Sequence, residues 1–152
     1  MPNSTQFQEC QVEFGPMAHD IMLTLSASFW EDETGTIPAP SVVSASETYY
    51  VKVEWEFTGH LKRHFCGKWR VKIDLESIGD ADDYTSECIE IPMDPCKDEP
   101  YSKTFTLTSG ILNPHDCGTV YLVAVTLSSL DPCGDPGHIW GYCKGPSVMF
   151  IP

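Results

Sequence analysis

Six histidine and cysteine side chains lie in turn-rich segments of the chain: His60, His64, Cys66, Cys96, Cys133 and His138. Imidazole and thiolate are ligands that suit zinc or copper. A shared site would require the loops at 59–67, 93–101 and 130–138 to meet at one end of the fold and bring the six together. The spacing His60-x-x-x-His64 falls in a loop and not on a helix, so it fixes no geometry. A metal site is therefore the weaker interpretation, and we expect no cofactor.

The seven cysteines follow no spacing that is typical of a metal or redox site. No C-x-x-C pair occurs, so neither a zinc ribbon nor a thioredoxin-type dithiol is indicated. The tripeptide Asp-Pro-Cys occurs twice, at 94–96 and 131–133, which favours two similar turns. A Cys96–Cys133 disulfide is an alternative, although an odd number of cysteines cannot all pair within one chain.

Catalytic signatures are absent from the sequence. It contains no G-x-S-x-G, no P-loop, no H-E-x-x-H and no Cys-His signature. The chain has 22 carboxylates and a net charge of −13, so carboxylates that lie near one another in the sequence do not indicate a catalytic pair. We therefore do not expect an enzyme.

Length and charge narrow the class of protein. A chain of 152 residues, 41% hydrophobic and 20% charged, is typical of one globular domain. We predict a single domain over 1–152, with N-terminal strands and a Pro/Ser-rich loop over 1–46 and the main strand series over 47–152.

The acidic balance argues against nucleic acid as a partner, since phosphate contacts need lysine and arginine. No apolar run is long enough to span a membrane. The N-terminus lacks a secretory signal, so we expect a cytoplasmic location if the chain is full length.

Alternation of apolar and polar residues dominates the rest of the chain. It is clearest over 21–30, 51–58 and 69–76, and further β-rich runs follow at 86–92, 102–112, 119–129 and 138–151, with a weaker one at 7–14. Period-two alternation predicts strands with one buried and one wet face. The pattern predicts an all-β fold: an antiparallel two-sheet sandwich of seven to eight strands.

The run at 119–127 is apolar on both faces. Tyr121, Val123, Val125 and Leu127 alternate with a second apolar set: Val120, Leu122 and Ala124. Such a strand is usually central, or covered on its outer face by another element or subunit. The C-terminal run 148–152 is also apolar on both faces and should be tied into a sheet, in this chain or a neighbour's.

The region after residue 49 resembles the later strands of an immunoglobulin-like domain. Residues 116–121 (D-C-G-T-V-Y) resemble the turn and tyrosine that open the sixth strand there, with the tyrosine one place later than in D-x-G-x-Y. Trp69 resembles the core tryptophan of that fold. Valines stand where antibody-type domains carry the inter-sheet disulfide: Val53 and Val123 or Val125. The resemblance implies a fold and transfers no functional residue.

Opposite charges allow a competing arrangement of two strands. If 51–58 and 68–76 form a direct hairpin, the outward pairs are Lys52–Asp74, Glu54–Lys72 and Glu56–Arg70. Such cross-strand pairs help to fix register. In an immunoglobulin topology the two strands belong to opposite sheets, so this hairpin and that topology exclude each other.

Basic residues are concentrated in one part of the chain. Residues 52–72 carry six of the nine, with only two acidic residues, and the rest of the chain is correspondingly more acidic. A basic end on an acidic body favours head-to-tail packing of copies, with Lys62, Arg63 and Lys68 as candidate contacts. The competing interpretation is that these cations answer neighbouring carboxylates.

We expect a structural or interaction subunit that acts by protein–protein association, with copies of itself among its partners. The candidate contacts are the three cations and five apolar or aromatic residues: Val120, Leu122, Ala124, Trp30 and Trp140. A monomeric carbohydrate- or protein-binding module is the first alternative, because Trp30 and Trp140 could stack on a sugar. A His/Cys metal or redox site is the second.

Overall fold

The computed structural model describes residues 21–60 and 62–152, apart from the side chain of Pro146, and the backbone of Glu9–Glu13. The polar start of the chain and the flanks of the weak run at 7–14 lie outside the described residues. In this part of the chain the structure is strands with one short 3-10 turn, so the all-β class is confirmed. No helix among the described residues is long and apolar enough to cross a membrane.

Ten strands lie in the described residues. In chain order they are β1 (Glu9–Glu13), β2 (Met22–Trp30), β3 (Val42–Ser44), β4 (Tyr49–Thr58), β5 (Lys68–Ser77), β6 (Tyr84–Thr85), β7 (Ile89–Pro92), β8 (Tyr101–Leu107), β9 (Thr119–Leu130) and β10 (Pro136–Ile151), with the 3-10 turn at Lys62–His64. The count exceeds the predicted seven to eight by β3 and β6. These two strands are too short for an alternating pattern to reveal them.

The strands form two sheets. The larger has the order β1-β10-β9-β5-β6, with β7 also paired to β5 and β3 paired to the end of β10. The smaller has the order β2-β4-β8. All pairs are antiparallel except β3 with β10. Both sheets turn their apolar face to a shared core, as the sandwich prediction requires.

Aromatic side chains join the two sheets across the core. Trp69 on β5 is fully buried and meets Phe57 and Trp55 of β4 edge-on, with ring centroids 5.4 Å and 6.3 Å away. Tyr101 of β8 stacks on Trp55 at 5.6 Å. A second aromatic group fills the other end of the core: Phe29, Tyr49, Tyr121 and Phe150.

The competing hairpin between 51–58 and 68–76 is not formed, and the two strands belong to opposite sheets, as the immunoglobulin-like arrangement requires. β4 pairs with β2 and β8, whereas β5 pairs with β9, β6 and β7 in the other sheet. Phe57 and Trp69, which the hairpin would pair within one sheet, meet across the core instead. The charges that suggested the hairpin find nearer partners: Lys52 lies 3.1 Å from Glu54, and Lys72 lies 3.7 Å from Asp74.

The C-terminal run is tied into a sheet of its own chain. Met149 and Phe150 pair with β9 on one side and with Val42 and Val43 of β3 on the other. The ladder between β10 and β9 shifts register between Lys144 and Ser147, where a proline interrupts it because proline has no N–H to donate. The expectation for the chain end is therefore confirmed within the chain.

Candidate functional site

The outer face of β9 is the first candidate surface. β9 is central in the larger sheet, between β10 and β5. Ala124 is buried, whereas Val120 and Leu122 are half-buried. No strand of the described part stacks over this face, because the smaller sheet packs on the inner one. The predicted central position of the strand is confirmed, and its outer apolar residues lie at the surface.

Apolar side chains extend this surface across four neighbouring segments. Val42 is paired with Met149, and Met149 is paired with Val120, so the three lie in one row on the outer face. Ile78 follows β5, and its N–H donates to the carbonyl of Val120 at 2.8 Å. Val42 is 51% and Ile78 61% exposed. Leu122 lies two residues along β9 from Val120, and Ile151 lies two residues along β10 from Met149, so both share this face. We call these six residues the apolar patch: Val42, Ile78, Val120, Leu122, Met149 and Ile151.

A glycine allows the strands to come together at the patch. Gly118 has φ +90, a conformation that favours glycine. A Cβ built there would lie 3.2 Å from a methyl of Ile151 and 3.4 Å from the sulfur of Met149. The turn before β9 therefore packs directly against the end of β10 and supports the edge of the patch.

The other end of the same face is charged. Lys68 and Arg70 of β5 lie 3.3 Å and 3.8 Å from Glu90 of β7. These pairs are partly exposed, and such pairs stabilise a fold by at most about 1 kcal/mol. The outer face of the larger sheet therefore has an apolar end, where the exposed Glu76 lies opposite Leu122, and an end of matched charges.

The cations of the predicted basic end are largely neutralised within the chain. The ammonium of Lys62 lies 3.4 Å from Asp98, donates to the carbonyl of Lys97 and leaves its side chain only 14% exposed. Lys68 is paired with Glu90. Among the described residues, Arg63 is the one basic side chain of 52–72 without an ion pair within 4.0 Å. This geometry favours the interpretation that the cations answer local carboxylates.

A cavity of about 510 Å³ lies beside Lys62. Its lining includes Arg63, Asp98 and Cys96, from the loops that follow β4 and β7. Both signs of charge line it, and the Lys62 ammonium is already bound. The cavity therefore defines no single class of ligand.

The two tryptophans named as sugar contacts have different surroundings. Trp30 is half-buried, donates from its indole N–H to Ser28 at 2.6 Å and packs against Gly35 of the next loop. Trp140 is 42% exposed on the outer face of β10, with Tyr142 two residues along the same face. Of the pair, Trp140 is the one available for stacking.

The His and Cys side chains at the loop end form no ligand cluster. No three His, Cys, Asp or Glu side chains converge anywhere in 21–60 and 62–152 in a way that could hold a metal ion. Cys96 and Cys133 are exposed free thiols, so the alternative Cys96–Cys133 disulfide is not formed. Both Asp-Pro-Cys segments do form matching turns. In each the aspartate, Asp94 or Asp131, accepts the N–H of the cysteine at 2.9 Å.

One disulfide is present that sequence reasoning missed. Cys143 of β10 is buried and disulfide-bonded, and the register of β1 with β10 sets Cys10 opposite it. The signal was the alternation in β10, which directs Cys143 inward between Gly141 and the register shift. To predict a disulfide at Cys143, one must also know that the first strand pairs with the last, and no local sequence pattern shows that pairing.

The loops at the opposite end of the sandwich are acidic. The segments 31–41, 45–48, 78–83 and 108–118 together carry eight carboxylates and no lysine or arginine. His115 lies 2.6 Å from Asp80, and this hydrogen bond lowers the pKa of Asp80. Asp32 accepts from Thr34, Thr36 and two backbone N–H groups, which lowers its pKa as well. Asp32 and Asp80 therefore act as hydrogen-bond partners within and between these loops.

No protein-family model matches the chain, and a comparison with curated proteins finds no match.

Proposed function

We propose that this protein is a non-enzymatic structural or interaction subunit, and that it associates with other protein chains through the outer face of its larger sheet. The observation that carries the proposal is the apolar patch. An exposed cluster of this kind beside a polar, charged region is typical of protein–protein interaction sites. A second copy of the chain is the first partner to test, since identical patches related by a twofold axis are complementary in chemistry.

The smaller sheet supports the choice of surface by contrast. Its outer face is mostly serine, threonine and charged residues, with the half-buried Trp30 and Tyr50 at one end: Thr24, Ser26, Ser28, Lys52, Glu54, Glu56, Ser102, Thr104 and Thr106. Met22 at its margin is the exposed apolar side chain there, at 61%. Association through apolar burial therefore favours the larger sheet.

Sedimentation velocity of the full chain over a wide concentration range, with reductant present, tests the proposal. We expect a concentration-dependent dimer or larger species. Val42→Asp places a carboxylate in the patch and should weaken association at least about tenfold. Met22→Asp is the matched control, because it also charges an exposed apolar residue but on the other sheet. A strictly monomeric wild type, or equal effects of the two substitutions, would refute self-association through the patch.

The strand order supports an immunoglobulin-like assignment for this sandwich. In that fold one sheet contains strands A, B and E, and the other contains C, F and G. The sheet β2-β4-β8 corresponds to the first, and β5, β9 and β10 correspond to the second. The hydroxyl of Tyr121 is buried without a hydrogen-bond partner among the described residues, unlike the tyrosine that opens the sixth strand of that fold. The immunoglobulin-like assignment therefore rests on the order of the strands and not on a hydrogen bond of this tyrosine.

The compartment is best inferred from Cys143. Disulfides persist in oxidising compartments and are rare in the cytosol. A disulfide at Cys143 therefore weighs against the cytoplasmic location expected from the N-terminal sequence. Thiol titration of the purified chain before and after reduction tests this, with two additional thiols expected on reduction.

Carbohydrate binding is the second candidate function, and the exposure of Trp140 favours it. An exposed indole with a tyrosine two residues along the same strand face offers a flat aromatic surface for a sugar ring. Glycan-array binding that is lost on Trp140→Ala and retained on Trp30→Ala would support it. Absence of any glycan binding would remove it.

A further inference from the structure

The strands at the edges of the two sheets expose backbone groups that could pair with a strand of another molecule. Short edge strands offer little backbone for such pairing. In the larger sheet the described edge strands have only two to five residues: β1, β3, β6 and β7. The smaller sheet has longer edges, with nine residues in β2 and seven in β8. These two strands are therefore the edges that most need protection.

The edge of β2 is covered at one end by the loop that follows it. The N–H of Ala39 donates to the carbonyl of Phe29 at 3.2 Å. Trp30 forms an antiparallel bridge with Pro38 in the same loop. A second molecule cannot pair with the full length of β2 while this loop lies against it.

The edge of β8 has no such cover in the described part of the chain. β8 pairs with β4 on one side, and outside that ladder no backbone group of 101–107 bonds to another described backbone group. Its sequence, Y-S-K-T-F-T-L, consists largely of β-branched and aromatic residues and contains no glycine or proline. Its lysine is its only charge, and uncharged segments of such composition pair readily with copies of themselves.

Lys103 lies in the middle of this edge and faces the core side of the sheet. It is opposite Val53, which is fully buried, and it alternates along β8 with the buried Tyr101, Phe105 and Leu107. Lys103 is half-buried and has no ion pair among the described residues. A lysine is tolerated there because its ammonium can reach water past the open edge. An apolar residue would complete the inner face, so the fold alone does not explain the lysine.

Pairing of β8 with a second copy would bury this ammonium. In the twofold antiparallel arrangement that aligns all seven residues, Lys103 lies opposite Phe105 of the second copy. The two lysines then lie diagonally across the joint on the inner face, with their backbones about 7–8 Å apart. The added strand also closes the side through which each ammonium reached water. Burial of an unpaired ammonium and repulsion between like charges both oppose this joint.

We propose that Lys103 closes the edge of β8 to strand pairing with copies of this chain. The edge is otherwise a complete pairing surface, with free backbone groups and a sequence that can pair with itself. A charge on its inner side prevents that pairing, as inward-pointing charges do at the edges of other sheets. Association of copies is then left to other surfaces such as the apolar patch, but the inference does not depend on the patch.

Replacement of the lysine in the Val42→Asp background tests the proposal, because that background weakens association through the patch. In sedimentation velocity with reductant present, we expect Lys103→Val to associate at least about tenfold more tightly than the parent. Lys103→Thr also removes the charge and should act in the same direction. Thr104→Val is the matched control, because it adds a valine to the outer face of the same strand and leaves Lys103 in place. Lys103→Glu keeps a charge on the inner side and should leave the edge closed.

Hydrogen exchange of the backbone amides locates the new contact. In the associated Lys103→Val species, the β8 amides that face the open edge should exchange more slowly than in the parent. A Lys103→Val chain that sediments like its parent would overturn the proposal. Equal association of Thr104→Val or Lys103→Glu would do the same, and so would an oligomer whose β8 amides exchange as in the parent. The patch is tested separately, in the wild-type background.

Discussion

The two faces of β9 carry similar side chains and have different surroundings. On the inner face, Tyr121, Val123 and Leu127 are at most 1% exposed and pack against the smaller sheet. On the outer face, Val120 and Leu122 are half-buried, and no described strand covers them. The chain uses one apolar face to fold and leaves the other at its surface.

The difference separates what the fold needs from what association needs. Burial of apolar area is the main favourable term in both processes. The inner residues contribute that term when the chain folds. The outer ones contribute little until a second surface arrives. Substitutions on one strand can therefore affect stability and association separately.

Truncation of a leucine on each face gives the largest expected contrast. Leu127→Ala removes fully buried methyl groups and leaves a cavity, which should lower the free energy of unfolding by about 2–5 kcal/mol. Leu122→Ala makes the same change on the same strand at a half-buried site and should cost about 1 kcal/mol or less. Urea denaturation in reductant-free buffer, at a concentration where the protein is monomeric, measures both.

The outcome decides whether the outer face belongs to the core. Equal losses for Leu122→Ala and Leu127→Ala would mean that a segment outside the described residues covers the outer face of β9. That result would also remove the apolar patch as an association surface.

The phenol of Tyr121 gives a smaller effect of opposite sign. Its hydroxyl is buried without a hydrogen-bond partner among the described residues, and burial raises its pKa, with Asp82 and Asp83 adding to the rise. Tyr121→Phe removes the unpaired group and keeps the ring against Phe150. We expect the free energy of unfolding to stay unchanged or rise by about 1 kcal/mol. A loss of that size would show that the hydroxyl has a partner.

Most of the fold followed from local patterns. Alternation over 51–58 and 69–76 identified β4 and β5, because each buries one face in a continuous core. The same alternation could not say which strands pair. Opposite charges suggested a hairpin between these two strands. In the structure, Lys52 and Lys72 pair with carboxylates of their own strands, and Arg70 pairs with a carboxylate of β7. Pairing is a long-range property, and short strands such as β3 carry no pattern.

The candidate site could be predicted only in part. Val120 and Leu122 were recognisable because the strand is apolar on both faces. Val42 and Ile78 were not, since isolated apolar residues beside turns are ordinary. They join the patch only through the parallel pairing of β3 with β10 and the bond of Ile78 to Val120. Contacts between segments far apart in sequence decide such a surface.

The smallest effect concerns the loop that leads into β9. His115 of that loop lies 2.6 Å from Asp80, which lowers the pKa of Asp80 in the folded chain. The contribution to stability is therefore complete above the unfolded pKa of about 4 and is lost as the pH falls through the lower folded value. Asp80→Asn should lower Tm slightly near neutral pH, and the difference from wild type should vanish in strong acid. A difference that persists or grows in acid would mean that Asp80 acts on the loop through a contact other than its charge.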